Sequence, residues 1–373
     1  MAVVGAGLLG SATAWALASR GVRPVLLEQF GLGHTRGSSH GATRIFRLSY
    51  PDPGYVAMAV AARPAWARLQ AAAGEELLVT TGGLDAGPGA DACAAALAEC
   101  GVTHSWLTAA QLRGRFPGIA VQPGERMLYQ PDAGVCLAGR TVAALQRLAR
   151  QQGADIRPDC PVLAIERDGD QALVRTGRGP VLATVVVVTA GPWSGPLLAG
   201  LVRQPPRLAV TLQRVRYFRA RDSRPAAWPT LIEWPSTGPV WYLVPMLGGA
   251  PGVKVSSHAP GPAVDPGDGP FTGPDPVREE QTGAYVRARL PGLDPAPLAP
   301  ETCLYTMTAD EDFVLGREGP VVAGAGCSGH AFKFGPLLGE ILAALALGEP
   351  PPADLSRFSL ARPSLATPPM TGT

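Results

Sequence analysis

The chain opens with "MAVVGAGLLGSATAWALASRG", and the six residues "GAGLLG" constrain its fold more than any other stretch. "AVV" is a short apolar run suited to a strand. Gly5, Gly7 and Gly10 follow, and "SATAWALASRG" then predicts a helix that stops at Gly21. "PVLLE" predicts a second strand ending on Glu28. Strand, glycine turn, helix, strand and acid, in that order, describe the first βαβ unit of a Rossmann-like sheet. Gly5 permits the tight turn, Gly7 lets the backbone approach a pyrophosphate, and Gly10 lets the helix lie against the strand. The helix N-terminus then faces the anion, and Glu28 accepts hydrogen bonds from a ribose. A purely structural glycine turn is the alternative; the strands on both sides favour a dinucleotide. Only four residues precede Gly5, few for the central strand of such a sheet, so a start upstream of Met1 stays open.

A chain of 373 residues exceeds one usual hydrophobic core, so two domains, or one split by insertions, are expected. "YVAMAVAARPAWARLQAAA", "DACAAALAEC" and "RTVAALQRLARQQG" predict helices, the first kinked at Pro64. "VLAIERD", "ALVRT" and "ATVVVVTAG" predict strands. "LAVTLQRVRYFRA", "PVWYLVP" and "GVKVSSH" suggest a separate antiparallel layer, and "APGPAVDPGDGPFTGPDP" a loop. "PVVAGAG" and "GPLLGEILAALALG" return to strand and helix before a tail, "RPSLATPPMTGT", expected to fray. A net charge of +2 gives no case for nucleic acid, and no apolar run reaches membrane-spanning length. The first residues lack the basic stretch of a secretory signal. Six cysteines without a CxxC pair point to reduced thiols and a cytoplasmic protein.

The basic residues pose a sharper question. Of 32, only Lys254 and Lys333 are lysines. A coding bias toward Arg explains the scarcity, but these two places can equally require a compact, strongly hydrated ammonium. In "GVKVSSH", strand alternation puts Lys254, Ser256 and His258 on one face, either a site or a solvent-facing edge. "HTRGSSHGATRIFRLSY" is polar and falls where open α/β sheets bind ligands. Its Arg44, Arg47 and Tyr50 recur every third residue, so a helical turn gathers them on one side, as an anion site or a solvated loop. In "ETCLYTMT", Cys303, Tyr305 and Met307 share a face, where a cysteine is more often a small hydrophobe than a reactive thiol. In "AGAGCSGHAFKFG", glycines including Gly329 lead into a helix carrying His330 and Lys333 one turn apart. No Ser-His-Asp set and no metal-ligand spacing is visible.

Taken together, "VVGAGLLG", "GSSHGATRIFR", "CLYTMTADEDF" and "GCSGHAFKF" resemble monomeric sarcosine oxidase and its relatives N-methyltryptophan oxidase and pipecolate oxidase. These belong to the FAD-dependent amine and amino-acid oxidase superfamily. The resemblance runs from Met1 to about Leu365 and is one of pattern only over about residues 81–240. It implies an α/β (α+β) fold, with a Rossmann-like FAD-binding domain (1–80, 137–204 and 310–373) and a mainly antiparallel substrate domain (81–136 and 205–309). It implies FAD attached through Cys303, with Gly5, Gly7, Gly10, Glu28, Ser38, Thr43, Arg44, Gly329, His330 and Lys333 around it. Lys254 matches the lysine that promotes reaction with oxygen, and His258 the histidine on its strand. Arg47 and Lys333 match the pair that binds the substrate carboxylate, and Tyr242 and Tyr305 match pocket tyrosines. The implied partners are a small amine or amino-acid substrate and oxygen, the product hydrogen peroxide, and the state a monomer. Cys327 stands where relatives often carry Phe, and Ser39 where sarcosine oxidases often carry His, so a larger cyclic amine is an alternative substrate. A non-catalytic flavin-binding subunit is a second alternative, against which the intact Lys254, His258, Arg47 and Lys333 set argues.

Overall fold

In the computed structural model, which describes residues 1–221, 228–298 and 300–372, the opening stretch forms the βαβ unit that its glycines predict. Ala2–Val4 lies between Val25–Leu27 and Val186–Val188 and runs parallel to both. Six strands form this sheet, in the order Val314–Glu318, Val321–Ala325, Val186–Val188, Ala2–Val4, Val25–Leu27 and Asp155–Arg157. Only the edge strand Val314–Glu318 runs antiparallel. The "VVVV" run buries all its side chains, as a strand covered on both faces must. Helix Leu8–Ala18 crosses Gly335–Leu347 so closely that a Cβ on Gly339 would stand 2.5 Å from that of Ala12.

A second sheet of nine strands takes residues 83–130 and 209–307. Its pairs are antiparallel, except for Thr230–Glu233 beside Gly83–Ala86. The long strand Ala209–Ala220 is its hub. One end pairs with Val253–Ser257, placing Tyr217 opposite Lys254. The other pairs with Glu301–Met307, placing Gln213 opposite Cys303 and Thr211 opposite Tyr305. That register places Lys254 and Cys303 opposite hub residues only four apart, although 48 residues of sequence lie between 254 and 303.

Two expectations need correction. Thr43–Phe46 is a strand, paired with Gly134–Leu137, and not a helical turn. β-Branched Thr43 and Ile45 and aromatic Phe46 favour the extended backbone. Arg44 lies within that strand and Arg47 just beyond its end, each with its own partners. The tail is not frayed up to Gly372: Leu365 is fully buried, its carbonyl accepts the Arg207 N–H at 2.9 Å, and Gly372 bridges Pro262. Helix Pro53–Ala73 forms where the sequence predicts it, with Pro64 inside it, anchored at its start by Asp52, which accepts from the N–H groups of Gly54 and Tyr55. The helix Pro276–Arg289 has no counterpart in the sequence reading.

Candidate active site

The nucleotide-like end is built from backbone. Gly5 has φ +93°, and a Cβ there would meet the Thr189 carbonyl at 2.7 Å. A Cβ on Gly10 would fall 1.8 Å from the Gly5 carbonyl, so the helix could not lie where it does. Gly7 differs: its φ is −70°, and the one nearby group is the Ser39 hydroxyl, 3.0 Å from a built Cβ. Ser39 Oγ accepts the Leu8 N–H at 3.0 Å and so serves the helix N-terminus. Glu28 is buried, accepting the Ala6 N–H at 2.8 Å and the Phe30 N–H at 3.0 Å, with His34 Nε2 at 3.4 Å. Burial pushes its carboxyl up, but His34 and the two amides outweigh this and hold it below the ordinary value. These groups line a cavity of about 620 Å³, whose far wall is Thr189–Trp193.

A second cavity of about 480 Å³ shares Leu8, Leu9, Ser38, Ser39, Thr306 and Cys327 with the first. The two form one elongated space. Thr43, Arg44, Arg47, Tyr242, Lys254, His258, Cys303, Tyr305, Gly329, His330 and Lys333 all line the second lobe. Lys254 is no solvent-facing edge residue: it is 3% exposed, and Nζ donates to the Thr43 carbonyl at 3.2 Å. Burial, then the Arg44 charge, pushes its ammonium down to about 8, against the opposite pull of Glu301 and Cys303. Arg44 braces the polar loop by donating to the carbonyls of Thr43, Ser38 and His40 at 2.8, 2.9 and 2.8 Å. Ser38 Oγ donates to the Leu304 carbonyl, tying that loop to the Cys303 strand.

Cys303 is half-buried, and burial raises its thiol. Tyr242 and Tyr305 both line the lobe; burial lifts Tyr242 to about 12 and Tyr305 well above its usual value. Gly329, at φ +75°, leaves room for the Tyr305 ring, which a Cβ would meet at 2.3 Å. Lys333 is 4% exposed and donates to Tyr50 Oη and the His330 carbonyl, both at 2.7 Å. Burial, then Arg47, holds its ammonium well below the ordinary lysine range. The Arg47 guanidinium donates to the Ser49 carbonyl and lies 4.2 Å from the Tyr50 ring centre and 5.2 Å from that of Trp234. Among the described residues, neither Arg47 nor Lys333 has a carboxylate oxygen within 4.0 Å. Burial, Arg47 and Lys333 push His258 down to about 4, so its imidazole is neutral at neutral pH. His330 is likewise driven well below its usual value, chiefly by burial; its Nε2 meets the Glu311 carbonyl at 3.0 Å and its Nδ1 Tyr50 Oη at 3.2 Å.

Sequence reasoning missed Glu301 and Tyr217. The Glu301 carboxylate accepts from Tyr217 Oη, and the Tyr217 ring centre lies 5.3 Å from Lys254 Nζ. Glu301 alternates onto the face of Cys303 and Tyr305, a signal that was present; Tyr217 arrives only through strand register.

The space fits a ligand with a nucleotide at one end and a flat polar ring at the other. Thr43 Oγ1 is buried against the second lobe with no hydrogen-bond partner among the described residues, as is His40 Nδ1 nearby. Buried polar atoms without partners are rare unless a ligand completes them. Among the described residues no cluster could hold a metal ion, and no helix is long and apolar enough to cross a membrane.

Residues 1–345 match the family model described as FAD dependent oxidoreductase. The chain is 35% identical to the peroxisomal sarcosine oxidase of Mus musculus, over 96% of this chain and 95% of that protein. It is 32% identical to the monomeric sarcosine oxidase of Bacillus sp. (strain B-0618), over 97% and 96%. The open form of NikD, an unusual amino acid oxidase essential for nikkomycin biosynthesis, superposes with a TM-score of 0.85 at 28% identity, each chain covered to 96%. With its glycine turn, two-lobed cavity and these relatives, the chain belongs to the FAD-dependent oxidoreductase family and is a flavin-dependent amine oxidase.

Proposed function

We propose that the protein oxidises secondary-amine amino acids, N-methyl or cyclic, of which sarcosine is the simplest, releasing an imine that hydrolyses in water. The carrying observation is the pair Arg47 and Lys333: a half-buried guanidinium and a buried lysine with no carboxylate partner among the described residues, in the lobe that also holds Lys254 and Cys303. A substrate carboxylate completes them with charge-assisted hydrogen bonds.

Glu28 would hold the ribose and Gly7 the pyrophosphate, while Ser38, Thr43, Arg44, Gly329 and His330 border the ring and Cys303 provides a thioether link. FAD held there would supply two-electron oxidation, with oxygen as the electron acceptor and hydrogen peroxide as the product. The residues of the chain do the rest. Arg47 and Lys333 fix the carboxylate and thereby the C–H bond beside nitrogen, an effect of positioning. Neutral His258 adds no charge beside the amine and offers a nitrogen for its proton, while Tyr242 and Tyr305 close that side. Lys254 places a fixed positive charge where negative charge develops during reaction with oxygen. The two sheets are taken as two domains, 1–80, 137–204 and 310–373 against 81–136 and 205–309. Six cysteines without disulfides support a cytoplasmic setting, and the name of the Bacillus relative supports a monomer.

A larger cyclic amine is the second reading. It is favoured by Cys327, a small side chain on the wall of both lobes, and by the likeness to NikD. A peroxide assay over sarcosine, N-methyltryptophan, proline, pipecolate and larger bicyclic imino acids separates the two. Turnover of any of the first four with the highest kcat/KM supports the first; turnover of the bicyclic acids alone supports the second. No peroxide from any of them defeats both. Acid precipitation tests the link: wild-type protein is expected to stay yellow and Cys303→Ala to release its flavin. All flavin in the wild-type supernatant rules covalent attachment out.

A further inference from the structure

Asp85 is a carboxylate in an unexpected place. It sits in "GLDA", Gly83–Ala86, a strand whose four residues are all buried, and it is 2% exposed itself. A charged group there is costly unless it is held. Its Oδ1 accepts the indole N–H of Trp234 at 3.0 Å, and the Ser49 hydroxyl faces the same carboxylate. Trp234 follows the neighbouring strand, where Ile232 pairs with Asp85, and its own N–H donates to the Ala86 carbonyl at 2.9 Å. The following loop is shaped to receive it. A Cβ on Gly87 would fall 2.2 Å from the Trp234 carbonyl, and one on Gly89 2.8 Å from the Trp234 Cβ.

What Trp234 and Ser49 share is Arg47. The guanidinium is oriented by three groups: the Ser49 carbonyl, the Tyr50 ring at 4.2 Å and the Trp234 ring at 5.2 Å. Two of these belong to residues that meet Asp85. Among the described residues Asp85 has no oxygen within 4.0 Å of Arg47, so it does not neutralise the guanidinium through a direct pair. We infer that Asp85 is a positioning residue for substrate recognition: through Trp234 and Ser49 it holds the Arg47 guanidinium aimed into the cavity, leaving its donors free for an incoming carboxylate. A direct Asp–Arg pair would occupy those donors; one step removed, the carboxylate fixes geometry without competing for the fork. The inference rests on the reading that Arg47 binds the substrate carboxylate, and it adds what sets the strength of that binding.

Calorimetric titration of the purified holoenzyme with benzoate and with its uncharged counterpart benzamide tests it. Wild-type protein is expected to prefer benzoate. Asp85→Ala should weaken benzoate about 3- to 10-fold, the loss of roughly one oriented hydrogen-bonded contact, and leave benzamide unchanged. Asp85→Asn keeps an acceptor for the indole N–H and should recover most of the loss. Trp234→Phe keeps a ring but removes that N–H, so it should weaken benzoate alone, and combining it with Asp85→Ala should add little. If Asp85→Ala does not fold, Trp234→Phe decides. An unchanged benzoate-to-benzamide ratio in the folded variants, or equal weakening of both probes, overturns the inference while leaving the Arg47 reading intact. A wild-type protein with no preference for benzoate overturns both.

Discussion

The two lobes of the cavity reach specificity by opposite means. The nucleotide-like lobe draws its recognition from backbone N–H groups, three glycines and one carboxylate, all within residues 5–28. The ring and substrate lobe draws on side chains brought from separate strands and loops. Lys254 finds its carbonyl partner 211 residues away, and Lys333 its phenol 283 residues away. The first lobe carries few displaced ionisable groups, Glu28, His40 and the shared Cys327, whereas the second concentrates Lys254, His258, Cys303, Tyr305, His330 and Lys333, each driven by burial away from its ordinary value. Such clustering is what a reactive site, as opposed to a binding site, requires. Binding can be written locally into the backbone; chemistry here needs a fold to assemble it.

The largest expected effect therefore lies in the second lobe. Lys254→Met should fold, keep its flavin and still be reduced by substrate, while its reaction with oxygen slows by ~10²-fold or more, the loss typical of one preorganised charge. Lys254→Arg should recover only part, because a planar guanidinium spreads its charge. Stopped flow separates the halves: anaerobic reduction first, then mixing with oxygen. The pH dependence follows from the ammonium. Its value is lowered to about 8, so the charge is present below that pH and lost above it. An anion bound beside it raises the value, so oxygen reactivity should fall as pH rises past 8 or higher, and should not follow that curve in Lys254→Met. Normal reoxidation of the Met variant would remove that contrast between the lobes and return Lys254 to coding chance.

Legibility in the sequence divides along the same line. Gly5, Gly7, Gly10 and Glu28 could be assigned from spacing because the turn, helix and strand that need them are contiguous. The face carrying Lys254 and His258, and that carrying Cys303 and Tyr305, could be read from strand alternation. Which faces meet could not, because the pairing of Val253–Ser257 and Glu301–Met307 on the two ends of Ala209–Ala220 is a matter of register. The helical turn expected for Arg44, Arg47 and Tyr50 is a strand that ends at Phe46; all three line one cavity, but only Arg47 and Tyr50 meet. Tyr217 and Asp85 carried no local signal. An aspartate inside "GLDAGPG" reads as turn chemistry, and only the partner Trp234, 149 residues on, shows otherwise.

The next effect is smaller and sharpens the contrast within the second lobe. Arg47→Met should raise KM for a carboxylate substrate ~10- to 100-fold, from a charge-assisted pair worth about 1.5–3 kcal/mol. An ester of the same amino acid should be little affected, and oxygen reactivity should stay near wild type. Equal losses for acid and ester would mean that Arg47 does not read the carboxylate. A slowed oxygen step would mean that Arg47 and Lys254 act as one electrostatic unit and not as two.

The smallest effect tests whether the first lobe is as simple as it looks. Its three glycines make different demands. Gly5 and Gly10 are required by the protein's own packing, since their Cβ atoms would strike backbone at 2.7 and 1.8 Å. Gly7 is not: alanine tolerates φ −70°, and the only close atom is the Ser39 hydroxyl, the mobile end of a side chain. If Gly7 is there for a pyrophosphate, Gly7→Ala should leave the apo-protein's melting temperature within ~2 °C of its parent, a change of no more than about 1.5 kcal/mol. It should weaken FAD by roughly tenfold, since a methyl group would hold the phosphates off the helix N-terminus. The measurement belongs in a Cys303→Ala background, where the cofactor can dissociate and its Kd can be read by flavin fluorescence. Gly10→Ala, in the same background, should lower melting temperature and FAD affinity together, because the helix itself must move. If Gly7→Ala also lost stability and affinity in proportion, all three glycines would be serving the turn. The motif would then report a fold rather than a ligand.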